Sequence, residues 1–209
     1  MAANVVDLVN QSLRGIGYRH RIADIYEGSP ASRAALEIYG QTRDELLRSE
    51  DWDFARRKLS LTLLKGPPPP GGYNPQQPWD PTFPAPGWLY EYAYPADMIE
   101  LGAILPPPFL FPDRDPKPAV FRIDNDPLPV PADPTVPGAK VVLTNIAGAI
   151  AVYRARVTDP SAWNPGFTAT IVERLAAKLT IALAHDLNLM RATAADSIAT
   201  GMVADRRRG

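Results

Sequence analysis

The stretch from Tyr153 to Leu187 reads YRARVTDPSAWNPGFTATIVERLAAKLTIALAHDL. It opens as the end of an apolar segment, turns at Asp159-Pro160 and again at Asn164-Pro165, then carries the longest uninterrupted helical pattern in the chain. Asn164 offers a side-chain oxygen to the first free N–H groups of a helix. Pro165 suits the first helical position, where its missing N–H costs nothing. Ile171, Leu175, Ala176, Leu179, Ala182, Leu183 and Leu187 follow at spacings of three and four. They make one apolar stripe on a helix of about six turns, with Thr170, Glu173, Arg174, Lys178 and Asp186 mostly between. No other segment offers as much to a core.

The N-terminal part is also helical in pattern. Val5, Val6, Val9, Leu13 and Ile16 share one face from Ala3 to Ile16, and Gly15-Ile16-Gly17 signals the helix end. Tyr18 to Gly28 reads as a loop, with Ile22 and Ile25 as apolar plugs. Ser29-Pro30 opens a second helix that runs to about Ser49. Its inner stripe is Ala34, Ala35, Ile38, Tyr39, Thr42, Leu46 and Leu47. Met190 to Ala204 predicts a weaker last helix, followed by Arg206, Arg207 and Arg208.

Proline divides the chain. Of 24 prolines, only Pro30 precedes Pro67 and none follows Pro165. Proline cannot sit inside helices or central strands, so two proline-poor ends flank a middle of short strands and long connectors. Alternation predicts strands at Ala55 to Leu64, Trp88 to Tyr94, Ile99 to Leu105, Ala119 to Ile123, Lys140 to Thr144 and Ala149 to Ala155. These are expected to form a small antiparallel sheet. The segment 66–87, GPPPPGGYNPQQPWDPTFPAPG, reads as an extended surface loop. The expected fold is α+β: a helical bundle formed by both chain ends (1–51 and 145–209) with a β-rich, proline-rich middle insertion (52–144).

Composition narrows the function. The chain has 209 residues, 45% of them apolar, which suffices for one core. A net charge of -1 announces no nucleic-acid partner. With no cysteine there is no thiol catalysis, disulfide framework or zinc–thiolate site. MAANVVDLVNQ lacks the basic and apolar parts of a signal peptide, and nothing approaches a membrane span. His20 lies in a basic loop. His185 neighbours Asp186 on a helix, where adjacent residues do not face each other. There is no HExxH, no Gly-rich phosphate loop and no GxSxG. Carboxylates gather at Glu45, Glu50, Asp51 and Asp53, and at Asp124 with Asp126, as they do at helix ends and turns; a wall-degrading hydrolase would need two facing across a cleft. No catalytic, cofactor or metal residues are assigned. The basic groups Arg19-His20-Arg21, Arg56-Arg57-Lys58 and Arg206 to Arg208 are solvated faces or partner contacts. Tyr73, Trp79, Phe83 and Trp88 are costly to leave in water and point to contact with a neighbouring subunit or partner.

Three stretches in order carry a resemblance. The first is the N-terminal helix with Gly15-Ile16-Gly17 and Ile22. The second is the helix end at Leu46-Leu47-Arg48-Ser49-Glu50-Asp51-Trp52-Asp53-Phe54-Ala55, where Trp52 and Phe54 lead into a strand. The third is Tyr94-Pro95-Ala96-Asp97-Met98, followed later by Ala151 to Pro160, with Arg156, Asp159 and Pro160, and by the long helix. Together they resemble the head–tail connector (adaptor) proteins of tailed bacteriophages, of the tail tubular protein A type of short-tailed phages. The resemblance runs from about Val5 to Leu187, and the 66–87 loop is longer than the family pattern.

The resemblance implies a structural virion protein without enzymatic activity or cofactor. It implies a homo-oligomeric ring, commonly twelve-fold, between the portal protein and the tail nozzle or tail tube. Such a ring is assembled in the host cytoplasm, stands at the head–tail junction and lines the DNA exit channel, with non-specific contact to packaged DNA and none to membrane. Arg191, Arg206, Arg207 and Arg208 are then candidate portal contacts; Tyr73, Trp79, Phe83 and Trp88 are candidate tail or subunit contacts. Another tail-completion or stopper protein would share this interaction chemistry.

Overall fold

The computed structural model describes residues 4–68, 80, 82–107, 117–126 and 138–184. Contacts within the chain separate two compact units, Met1–Glu50 with Val157–Gly209, and Asp51–Arg156.

The first unit holds three helices among the described residues: α1 (Val5–Gly15), α2 (Pro30–Ser49) and α3 (165–184). Each starts where a short polar side chain can satisfy a free backbone N–H. Asn4 Oδ1 accepts from Asp7 N–H at 2.8 Å, Ser29 Oγ from Ser32 N–H at 3.2 Å, and Asn164 Oδ1 from Phe167 N–H at 2.7 Å. Gly17, at φ 74°, ends the first helix in a conformation that favours glycine. Val9, Leu13, Ile22, Ala31, Ala34, Ala35, Leu179 and Leu183 form one buried cluster. Small alanines let the helices approach, and the long leucines fill the space between. Phe167, Ile171 and Leu175 are also fully buried along the α3 stripe.

Two polar devices fix this core. Asn10 donates Nδ2–H to Ile22 C=O and accepts from Ile22 N–H, both at 2.9 Å, which pins the loop after α1. Ser12 Oγ lies 3.0 Å from both Leu8 C=O and Val172 C=O, linking α1 to α3. At a half-buried edge, Lys178 donates to Glu45 at 2.6 Å between α3 and α2. The Tyr39 hydroxyl is buried without a hydrogen-bond partner among the described residues, and burial pushes its pKa up to about 12.

The second unit holds β1 (Arg56–Ser60), β2 (Leu63–Lys65), β3 (Tyr90–Ala93), β4 (Met98–Leu105), β5 (Phe121–Asp126), β6 (Ala139–Thr144) and β7 (Ile150–Ala155). They form two antiparallel sheets, ordered β1-β7-β4 and β2-β3-β6-β5. Buried residues of the two sheets include Tyr92, Leu101, Ile104, Val141, Val142, Leu143, Ala151 and Tyr153.

The expected plan is corrected here. The chain is not a helical bundle of both ends carrying an insertion: three helices stand beside two antiparallel sheets of seven strands among the described residues. Only the coarse α+β class agrees. The strands bury enough apolar surface to make a compact unit of their own, so the middle is no appendage to a bundle. The expected single strand from Ala55 to Leu64 is two strands in different sheets. Leu61 turns inward and is buried, its N–H donating to Ala149 C=O at 2.9 Å, and Thr62 C=O accepts from Ala93 N–H at 2.9 Å. The chain thus changes sheets at Leu61-Thr62. The helical boundary expected at 145 lies instead at 156/157, because β7 pairs with both β1 and β4. The helix expected over Met190 to Ala204 and the proline-rich part 69–79 lie outside the described residues.

Candidate interaction surfaces

Part of the resemblance, Trp52 with Phe54 and Arg156 to Pro160, falls where the chain passes between units. On the way out, Asp53–Ala55 forms a single 3₁₀ turn, with Ala55 N–H donating to Trp52 C=O at 2.9 Å. Trp52 and Phe54 are half-buried, their rings 6.2 Å apart, while Ala55 between them and β1 is fully buried. Spacing by two around one turn thus sets both rings on one side of the passage. On the way back, Asp159 caps the 3₁₀ turn Pro160–Ala162 by accepting from Ser161 N–H at 2.9 Å, a bond that lowers its pKa. Trp163 Nε1–H then donates to Val157 C=O at 3.0 Å, and its ring meets Phe167 edge-on at 4.8 Å. Arg156 is exposed, and its N–H donates to Asp97 C=O at 2.6 Å.

Asp97 belongs to Tyr94-Pro95-Ala96-Asp97-Met98, and the structure gives it a role that its place in that motif did not spell out. Its two carboxylate oxygens accept from Arg57 Nη1 at 2.7 Å and from the Tyr153 hydroxyl at 3.1 Å. The turn before β4 is thereby tied to β1 and β7. Burial, followed by the neighbouring Asp97 carboxylate, raises the Tyr153 pKa.

The aromatic candidates divide. Phe83 and Trp88 are half-buried in consecutive turns, where Phe83 N–H donates to Asp80 C=O and Trp88 N–H to Ala85 C=O, each at 3.1 Å. The turn is clasped by Asp80 Oδ1, which accepts from Thr82 N–H at 2.9 Å and from its hydroxyl at 2.8 Å. Tyr73, Trp79, His185, Arg191, Arg206, Arg207 and Arg208 lie outside the described residues. His20 is exposed, its ring edge-on to Tyr18 at 5.9 Å.

Four of the carboxylates considered for hydrolysis have other occupations, and Glu50 and Asp53 are exposed. Glu45 is held by Lys178 and Gln41, which lower its pKa. Asp51 lies 3.5 Å from Arg56, and Asp124 lies 3.2 Å from Arg122. Asp126 accepts from Lys65 Nζ at 2.6 Å. No group of three or more histidines, cysteines or carboxylates among the described residues could hold a metal ion. No described helix is long and apolar enough to cross a membrane.

One cluster escaped the reading of the sequence altogether. Lys65 on β2 reaches Asp126 on β5, although β3 and β6 lie between these edge strands. Flat strands would set the two edges roughly 14 Å apart, so direct contact requires the sheet to coil around its inner face. Glu91 on β3, with its side chain 3% exposed, lies on that face with Oε1 3.1 Å from Lys65 Nζ. This ion pair is not aligned as a hydrogen bond, and Glu91 Oε1 has no hydrogen-bond partner. Burial raises the Glu91 pKa, with the Lys65 ammonium opposing. For Lys65, burial works against the charge, but Asp126 and Glu91 outweigh it and raise the pKa. A cleft beside the clasp is lined by Ala85, Asp124, Asn125, Val141 and Leu143. The only signal in the sequence was Glu91 amid the alternation of Tyr90, Tyr92 and Tyr94, at a position as inward as its apolar neighbours on β6.

No protein-family profile matches this chain, and no curated protein matches it.

Proposed function

We propose that this chain is the repeating subunit of a structural ring at the head–tail junction of a tailed bacteriophage. In this reading it joins the portal to the tail nozzle or tube, lines the DNA exit channel and catalyses no reaction. The resemblance of its ordered motifs to head–tail adaptors is the starting point. The observation that supports it best is where those motifs fall. Trp52-Asp53-Phe54 and Arg156 to Pro160 are the two short, internally braced passages between the helical and the strand unit. A subunit that must present one surface to the capsid and another to the tail needs its two bodies joined by such structured crossings. Ring closure would use a heterologous face on each subunit.

Mass measurement of the purified protein, alone and mixed with the portal protein encoded in the same genome, tests the reading. The expected result is a small species alone and a ring of defined mass on the portal. A protein that leaves portal and tail components unbound at micromolar concentration overturns it. Binding to completed tails but never to portal would make it a tail-completion protein instead. Deletion of 190–209 is expected to abolish portal binding while leaving the remainder folded, which circular dichroism checks alongside the binding measurement.

A further inference from the structure

Strand β1 carries three cations in succession, Arg56-Arg57-Lys58, then Leu59 and Ser60, and all five residues are exposed. Among the described residues it is an edge strand, paired with β7 on one side only. The phase of the ladder says which backbone groups remain over. Leu61 N–H donates to Ala149 C=O in continuation of the β1–β7 register. Bonded and non-bonded pairs alternate along an antiparallel ladder, so Arg57 and Leu59 turn their backbone groups toward β7. Lys58 and Ser60 turn theirs to the open edge; at Arg56 only the C=O is left over, because its N–H donates to Asp53 C=O at the end of the 3₁₀ turn.

Side chains follow the same alternation. Arg56 and Lys58 stand on one face of the sheet, and Arg154 lies directly opposite Arg56. Like charges directly opposite repel. Asp51, 3.5 Å from Arg56, and Glu100, 3.3 Å from Arg154, offset part of this. Lys58 makes no ion pair among the described residues. A shallow cleft floored by Gly102, Ala103 and Val152 opens between the two arginines. A Cβ at Gly102 would stand 3.3 Å from Val152 C=O, a tight contact.

We propose that the β1 edge accepts an extended, acidic peptide segment of a partner protein as an added strand. Its backbone would pair with the N–H and C=O groups of Lys58 and Ser60 and with the Arg56 C=O, the hydrogen-bonding mode of strand addition. Its carboxylates would lie on Lys58 and on the Arg56–Arg154 pair, and an apolar side chain on Leu59, which is 45% exposed. The charge selects the occupant. Three successive cations repel a second copy of the same strand, the usual protection of an exposed edge, but attract a strand of opposite sign. A nucleic acid fits less well, because phosphates cannot satisfy the outward carbonyls. The inference does not depend on the virion reading.

Amide hydrogen exchange read by NMR, with a short peptide alternating glutamate and threonine as the probe, tests it. The free protein is expected to exchange the Lys58 and Ser60 amides quickly, and the peptide to protect both. The same peptide with lysine for glutamate should protect none. Lys58→Glu is expected to weaken binding about tenfold, and Ser60→Pro, which removes an outward N–H and no charge, by a similar factor. Thermal melting and the exchange pattern of β4 and β7 establish that both variants remain folded; if Ser60→Pro does not, Lys58→Glu and the amide protection decide. Absence of protection at the two amides with the acidic peptide overturns the proposal. So does an oligonucleotide that binds more tightly than the peptide and is indifferent to Ser60→Pro, which would mark a phosphate surface.

Discussion

The two units solve the problem of a small core in different ways. The helical unit buries an apolar stripe and, the Tyr39 hydroxyl excepted, answers the polar groups it buries, as Asn10 is answered by both backbone groups of Ile22. The strand unit buries charge. Lys65, Glu91 and Asp126 meet on the inner face of a coiled four-stranded sheet, and one Glu91 oxygen is left without a hydrogen bond. Two short strands and two of six residues cannot supply the apolar area of a twenty-residue helix such as α2 or α3. The clasp instead ties both edges of the sheet together. What it contributes is shape rather than net stability, because desolvation of buried ions offsets most of their attraction.

Substitutions break this contrast in graded fashion. Phe167→Ala removes the largest fully buried side chain of the helical unit, and is expected to cost about 4 kcal/mol, read by urea unfolding followed in the helical signal. Lys65→Ala leaves Glu91 buried without its cation. A loss of about 3 kcal/mol at neutral pH is expected, confined to amides of β2, β3, β5 and β6 in hydrogen exchange. If both sheets and all helices lose protection equally, the units are not independent. Asn10→Ala strands one buried N–H and one C=O of Ile22 and should cost about 2 kcal/mol, visible as faster exchange of the loop after α1.

Acid–base behaviour sharpens the comparison further. The Glu91 pKa is raised in the fold, so the fold favours its protonated form. The stability it confers relative to Glu91→Gln is largest below the ordinary value of 4.5 and is lost as pH rises through the folded pKa. Urea unfolding of wild type and Glu91→Gln across mildly acidic to neutral pH should show the difference shrinking in that direction. Glu45, in the helical unit, has the opposite sign: Lys178 lowers its pKa, so its contribution is present above 4.5 and lost as pH falls through the folded value. Lys178→Ala should give the smallest effect of all, a slight drop in melting temperature that vanishes at high salt, since both side chains keep about a third of their surface in water.

The helices were legible because their signals are local. Asn164-Pro165 and Ser29-Pro30 mark starts by capping chemistry, and a stripe at spacings of three and four needs no knowledge of the partner face. The strands were legible one by one, at nearly the right places. Their distribution into two sheets was not, because it turns on Leu61, whose inward rotation interrupts one continuous alternation from Leu59 to Leu63. The passages at Trp52-Asp53-Phe54 and Asp159-Pro160 were legible as motifs, but their place between two units was not. Among the candidate surfaces, Arg56-Arg57-Lys58 stood out as a charge run, while the phase that leaves Arg56, Lys58 and Ser60 facing outward is a property of the ladder.

The sequence by itself thus determined the helices, their caps, the proline-rich division of the chain and the absence of cysteine chemistry, all of which depend on residues within a few positions of one another. Only the tertiary structure decided the sheet assignment, the boundary at 156/157, the Arg57–Asp97–Tyr153 tie and the Lys65–Glu91–Asp126 clasp. Each joins residues that are dozens of positions apart in the chain. Charge and hydropathy patterns carry no information about which distant strand lies beside which; backbone pairing and the coil of the sheet supply it.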